Sequence, residues 1–259
     1  MKYAAALVAL ILPIAISPRL MAQENPYDVL GKALVPIASV FASDDNGNPI
    51  PHGLILDAHL ISASQLPPEL QNQSVHVALM SPDQLLVQAP IAGQILTVCR
   101  DGDQLWATPG SKIQALLDQV PSPAPGKKKK KHKEPKPLPP LVLPVSQKAL
   151  IFLPILFQVA DGGTQTIGTI TCRVLDVQLM QQLTKSLHAD GWSARLWVTP
   201  DYHILQIALT GPDWNGTIAI DNLALPDTLP ATTFQPQGTD VLKLTTAQFL
   251  DLISQFGRK

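Results

Sequence analysis

The feature that most constrains this chain is residues 75–108, where short apolar runs alternate with tight-turn chemistry. The segments read VHVALM, SPDQ, LLVQAP, IAGQ, ILTVCR and DGDQLWAT. Each apolar run is too short for a helix, and each is bounded by Gly, Pro, Asp or Ser, the residues that punctuate strands. Consecutive strands joined by such turns pair with one another, so the segment predicts a β-meander. No catalytic signature interrupts it.

The N-terminus has a different character. Lys2 precedes a short apolar run over 4–16, and Leu20-Met21-Ala22 ends in a small residue. This reads as a secretory signal peptide over 1–22, cleaved near Ala22. The run holds Pro13, is followed by Pro18 and Arg19, and is shorter than the roughly 20 residues a membrane span needs. The expectation is a periplasmic or otherwise exported protein. Of the 259 residues 46% are hydrophobic and 15% charged, with a net charge of -1 that by itself says nothing of partners; nucleic acid is not expected among them.

Beyond the signal, Asn25 can cap a helix with Pro26 at its first position, and Tyr27, Leu30, Leu34, Ile37 and Phe41 fall at helical spacing. Pro36 is expected to kink or split that helix. A strand is predicted over 53–62 and a short amphipathic helix over 111–120. Residues 121–144 hold a lysine run (Lys127, Lys128, Lys129, Lys130 and Lys131) among many prolines, a composition that does not fold alone. They read as a disordered loop between two halves. The loop is either a solvated linker or an electrostatic contact to an anionic membrane surface. The second half predicts a helix over 147–160, a turn at 161–163, and strands over 166–177, 193–199, 203–210 and 216–223. A short helix over 180–187, an irregular stretch over 225–240 and a closing helix over 245–257 complete it. The fold class expected is α+β, mainly β: one curved antiparallel sheet, or open β-barrel, with helices covering its concave face. Domain organisation is then a single unit over 23–259, interrupted by the 121–144 loop.

Chemistry is sparse. The six histidines (52, 59, 76, 132, 188 and 203) show no metal-ligand spacing, and there is no Cys-x-x-Cys, Gly-x-Ser-x-Gly or P-loop. No metal or cofactor is expected, and no enzyme. Asp57 and Asp176 lie inside apolar strand-like runs, where a surface-facing place on an alternating strand is the simpler account. Cys99 and Cys172 can form a disulfide in an oxidising compartment or stay as two buried thiols; both readings are open.

Three pieces resemble the outer-membrane lipoprotein carrier (LolA/LolB-like) superfamily. They are Ser81-Pro82-Asp83-Gln84-Leu85-Leu86-Val87, Arg100-Asp101-Gly102-Asp103-Gln104-Leu105-Trp106, and the run from Asp221-Asn222-Leu223 through Leu229-Pro230 to Phe234-Gln235-Pro236-Gln237-Gly238-Thr239-Asp240-Val241. Leu86 stands where that family often carries arginine. The resemblance implies an open β-barrel with a helical lid around an apolar cavity, and a non-catalytic carrier or chaperone of acyl chains or lipidated protein. On that reading Leu86, Ile95, Trp106, Trp197 and Ile207 line the cavity. The alternative is an envelope structural or protein-interaction module with a filled core, which contacts an anionic surface through the lysine loop.

Overall fold

A computed structural model describes residues 24–64, 72–91, 93–118, 138–187 and 189–256. The signal-peptide reading and the lysine run therefore lie outside the described residues. The elements in chain order are α1 (Pro26–Ser39), β1 (Gly53–Ala63), β2 (Ser74–Met80), β3 (Gln84–Ile91), β4 (Gln94–Asp101), β5 (Gln104–Thr108) and α2 (Gly110–Asp118). A 3₁₀ helix (Gln147–Leu156) opens the second half, followed by β6 (Phe157–Ile167), β7 (Ile170–Leu179), α3 (Gln181–Leu187), β8 (Ser193–Val198), β9 (Ile204–Thr210) and β10 (Asn215–Ala224). A one-turn strap (Ala231–Phe234), β11 (Leu242–Lys243) and α4 (Thr246–Phe256) close the chain.

All the strands join one open sheet in the order β11-β5-β4-β3-β2-β1-β10-β9-β8-β7-β6, and every pairing is antiparallel. The fold is α+β and mainly β, as the sequence implied. Residues 75–108 form the expected meander. Its last hairpin turns at Gly102, whose φ of +61 is open to glycine and costly for most other residues.

Because strand side chains alternate, the register fixes two faces. One carries Leu54 and Leu56 of β1, Leu79 of β2, Leu96 and Val98 of β4, Leu105 and Ala107 of β5, and Leu175, Val177, Leu196 and Val198 of β7 and β8. Helices α1, α2 and α4 pack there. Val29, Leu30 and Ala33 of α1 sit on Leu175, Leu196, Val198 and Ile204. Ile113 of α2 and Phe249 and Leu252 of α4 cover Leu96, Leu105 and Ala107. Each such large apolar side chain contributes about 1.5–3 kcal/mol by leaving water.

The structure corrects several expectations. Pro36 does not split α1; it lies in the last turn, where Val40 and Phe41 close onto Ile37 and Ala38 with i→i+3 bonds and Ser39 Oγ donates to the Pro36 carbonyl at 2.6 Å. The helix expected over 147–160 is a 3₁₀ helix to Leu156 and then the start of β6. Asp161-Gly162-Gly163 is not a turn between elements but an irregularity inside β6, where pairing with β7 shifts between Asp161 and Thr164. Two glycines there supply the extra backbone length of a bulge, and Gly163 takes φ +84. Residues 138–144, counted within the disordered loop, are anchored. Leu141 N–H donates to the Pro82 carbonyl at 2.6 Å, Leu143 N–H donates to the Phe41 carbonyl at 2.6 Å, and Leu138 and Leu141 pack on the helix-bearing face.

Candidate functional site

An open apolar groove lies between α1 and the 3₁₀ helix. Asn25 Oδ1 accepts from Tyr27 N–H at 3.0 Å and starts α1 with Pro26 at its first turn. With Val29, Leu30 and Ala33 committed to the sheet, the other side of α1 presents Tyr27, Gly31, Lys32, Val35 and Pro36. Gly31 is where the 3₁₀ helix approaches: a Cβ there would stand 3.1 Å from Pro154 Cγ. Leu150 and Pro154 are buried on the inner side of the 3₁₀ helix, while Ile151 is 72% exposed and Phe152 62%, with Ile155 and Leu156 also exposed. The run QKALIFLPIL is apolar on more sides than it can bury, so part of it must face water or a ligand. Between the two elements is a groove of about 880 Å³ lined by Tyr27, Val35, Pro36, Ile151 and Pro154, with Lys32 and Lys148 at its rim.

Both rim lysines are paired. Lys32 Nζ stands 2.5 Å from Glu24 Oε1, donates to Tyr202 Oη at 2.9 Å and lies 4.5 Å from the Tyr202 ring centroid. The hydrogen bond from Lys32 holds the Glu24 carboxyl below its ordinary range, and Glu24 in turn raises Lys32. Lys148 pairs with Asp45, which raises the Lys148 ammonium. Exposed pairs like these position charge and add little stability.

The five residues expected to line one cavity are not brought together. Leu86 and Trp106 are buried with Ala78, Cys99 and Phe234 on the face away from the helices. Trp197 is in a different cluster of that face with Cys172 and Val174, donating Nε1–H to Gln165 Oε1 at 2.9 Å. Ile207 is on the opposite, helix-bearing face near α1. Ile95 is 64% exposed. The two cysteines are free. They sit on β4 and β7, with six strands between them, in separate clusters, whereas a disulfide needs Cα atoms within about 7 Å. Burial pushes the Cys99 thiol up to about 12.

Asp57 and Asp176 do have basic partners. His76 Nδ1–H donates to Asp57 Oδ1 at 2.6 Å, and Asn222 Nδ2 donates to Asp57 Oδ2 at 3.0 Å. Arg195 grips Asp176 in two bonds of 2.7 and 3.0 Å. His59 Nδ1 likewise lies 2.8 Å from Asp221. Among the described residues no group of His, Cys, Asp and Glu is arranged to hold a metal ion.

Sequence reading passed over Arg100. Its side chain is 5% exposed on the helix-bearing face and donates to the carbonyls of Gly102 at 3.1 Å, Pro139 at 2.7 Å and Leu138 at 3.3 Å. It ties the 138–141 segment to β4. The available signal was an arginine at the end of the otherwise apolar run ILTVCR.

No family model and no curated protein matches the chain. Solved structures do. The Mycobacterium tuberculosis lipoprotein LppX is 9% identical, with 76% of this chain and 93% of that chain covered at a TM-score of 0.40. LprF from Mycobacterium bovis is 11% identical, covering 79% and 95% at 0.43. A LolA superfamily protein from Nitrosomonas europaea is 10% identical, covering 82% and 97% at 0.29. At these identities and TM-scores the likeness assigns no family, ligand or partner to the chain.

Proposed function

We propose that this chain is an exported, non-catalytic carrier of acyl chains, as free lipid or as lipidated protein, and that the groove between α1 and the 3₁₀ helix receives them. The observation that carries the reading is the exposed run Ile151, Phe152, Ile155 and Leu156 beside a groove of about 880 Å³. An acyl chain laid there gains roughly 0.8 kcal/mol per CH₂ removed from water. The rim lysines, already carrying partners, favour an anionic headgroup only when Glu24 or Asp45 is displaced, so affinity is expected to come mainly from the apolar chain. The lysine run 127–131 is proposed to bring this groove to an anionic membrane surface. Export rests on the sequence of residues 1–22. Among the described residues no helix is long and apolar enough to cross a membrane.

The test is binding of a fluorescent fatty acid and of a lipopeptide to the full chain. Wild type should bind both, and the double variant Ile151→Asp, Phe152→Asp should lose at least about tenfold, the effect of roughly 1.4 kcal/mol. Undiminished binding by the double variant overturns the site. Deleting residues 127–136 should weaken binding to anionic vesicles, and unchanged binding removes the membrane contact.

A second reading has its own observation. The sheet face under α1 is filled: Leu30, Leu175 and Val198 are each 0% exposed. A filled interior favours the protein-interaction module. A chain that purifies without lipid and ignores both probes is that module, with the 147–156 surface as its contact.

A further inference from the structure

The face of the sheet away from the helices carries a polar row that crosses six strands in register. Asn222 of β10 pairs with Asp57 of β1, and Asp57 with His76 of β2. His76 pairs with Gln88 of β3, Gln88 with Thr97 of β4, and Thr97 with Thr108 of β5. Alternation places all of them on one face. Hydrogen bonds run along the row: Asn222 and His76 both donate to Asp57, and Gln88 Nε2 donates to Thr97 Oγ1 at 3.3 Å. Nδ1 of His76 is committed to Asp57, and the residue lines the pocket described below.

Beside this row runs a second one, apolar and covered. Leu86, Cys99 and Trp106 are successive cross-strand neighbours under Phe234 of the 231–234 strap. Trp106 Nε1–H and the Cys99 thiol both donate to the Phe234 carbonyl, at 3.1 and 3.4 Å, and so hold the strap down. A pocket of about 250 Å³ remains where the strap meets the polar row. Leu86 and Trp106 form its apolar side, His76, Gln88, Thr97 and Thr108 its polar side, and Thr232, Thr233, Gln235 and Gln237 enter from the strap. Apart from the imidazole, each polar side chain lining it is a neutral hydroxyl or amide, able both to donate and to accept.

We propose that this pocket, with the part of the row that lines it from His76 to Thr108, binds a short neutral glycan. Three observations select that class. The lining has no carboxylate, lysine or arginine, so an ionic ligand would lose its water without a countercharge. A pyranose ring has an apolar CH face and a rim of hydroxyls, which matches one apolar wall and polar walls that donate and accept. The strands of the row are roughly 4.8 Å apart, whereas an extended peptide repeats every 3.3 Å or so. A peptide laid across the strands falls out of step with the row, while an extended β-linked glycan advances by a length close to the interstrand spacing. This site is on the opposite side of the sheet from the acyl groove and does not depend on the carrier reading.

The test is titration of the full chain with β-linked glucose and N-acetylglucosamine trimers, and with triglycine, followed by amide and indole NMR shifts. A trimer should produce saturable shifts at residues 76, 88, 97 and 108 and at the Trp106 indole, with a Kd of about millimolar order. Gln88→Leu and Thr232→Val should each weaken it roughly five- to tenfold, the share of one hydrogen bond. Ile151→Asp, in the acyl groove, should leave glycan binding unchanged. Thr232→Val alters only an exposed strap residue, so it decides the matter if Gln88→Leu does not fold. No saturable shift with either trimer, shifts confined to other residues, or equal binding of triglycine overturns the proposal.

Discussion

On β8, Leu196 and Val198 lie under α1 while Trp197 between them faces the other way, and the two faces made by this alternation hold different things. The helix-bearing face is mostly apolar, from Leu105 under α4 to Leu175 under α1, with Arg100 buried in it, and is closed by helices and by the 138–141 segment. The opposite face has two small apolar clusters, at Trp106 and at Trp197, and a row of polar side chains crossing β10 to β5 between and beside them. Stability should therefore reside mostly on the first face, and recognition of polar ligands on the second. Measurements that find the reverse break the comparison.

The largest effect is expected at Leu30. It is fully buried among Leu175, Leu196 and Val198, and Leu30→Ala should cost about 2–5 kcal/mol, read as a lowered midpoint of denaturant unfolding. Arg100 comes next. Arg100→Leu removes three charge-assisted hydrogen bonds and leaves the Leu138 and Pro139 carbonyls without that donor, for a loss of about 2–3 kcal/mol. Its second signature is faster proteolysis near 138–141; a variant as resistant as wild type would show that the segment is held by Leu138 and Leu141 alone. Third is Gly31→Val. The added Cβ would meet Pro154 Cγ at 3.1 Å, so the 3₁₀ helix must move, with a cost of about 1–3 kcal/mol and weaker binding of the acyl probe. Unchanged probe binding would place the acyl site elsewhere.

The sheet was legible because its strands are encoded locally. In 75–108 the alternation and the turn residues agree, so the order and direction of four strands follow from neighbours in the chain. The 147–160 stretch was not legible. It is apolar without a clear period, and Pro154 prevents regular i→i−4 bonding there, so length alone could not separate a helix from a 3₁₀ turn leading into a strand. The Gly162-Gly163 pair was misread for a related reason, because glycines mark turns and bulges alike, and only the partner strand distinguishes them. The site was the least legible. Leu86 and Trp106 are large apolar side chains, but they face away from the helices and are covered by Phe234, which lies 128 residues beyond Trp106. Which face a strand residue takes depends on such distant covers. The Ile151-Phe152 surface was visible as apolar sequence, yet its exposure follows from which residues of the 3₁₀ helix are buried, Leu150 and Pro154, the latter against Gly31 of α1.

The smallest effect, and the one that separates the faces most cleanly, concerns acid. On the opposite face the His76 hydrogen bond first, and that of Asn222 second, hold the Asp57 carboxyl below its ordinary range. A carboxyl whose folded pKa lies below its unfolded value contributes stability that is fully present above the unfolded value, near 3.9, and is lost as pH falls through the lowered folded one. Asp57 is partly exposed, so solvent screens the contribution and it should be slight. Asp57→Asn removes it. Relative to wild type the variant should be marginally less stable at neutral pH, and the difference should shrink as pH drops below about 4. A difference that stays constant across that range would mean the loss comes from the neutral contacts of the row and not from its charge. Leu30→Ala supplies the contrast, since its cost lies in packing and should show no dependence on pH between about 3 and 7.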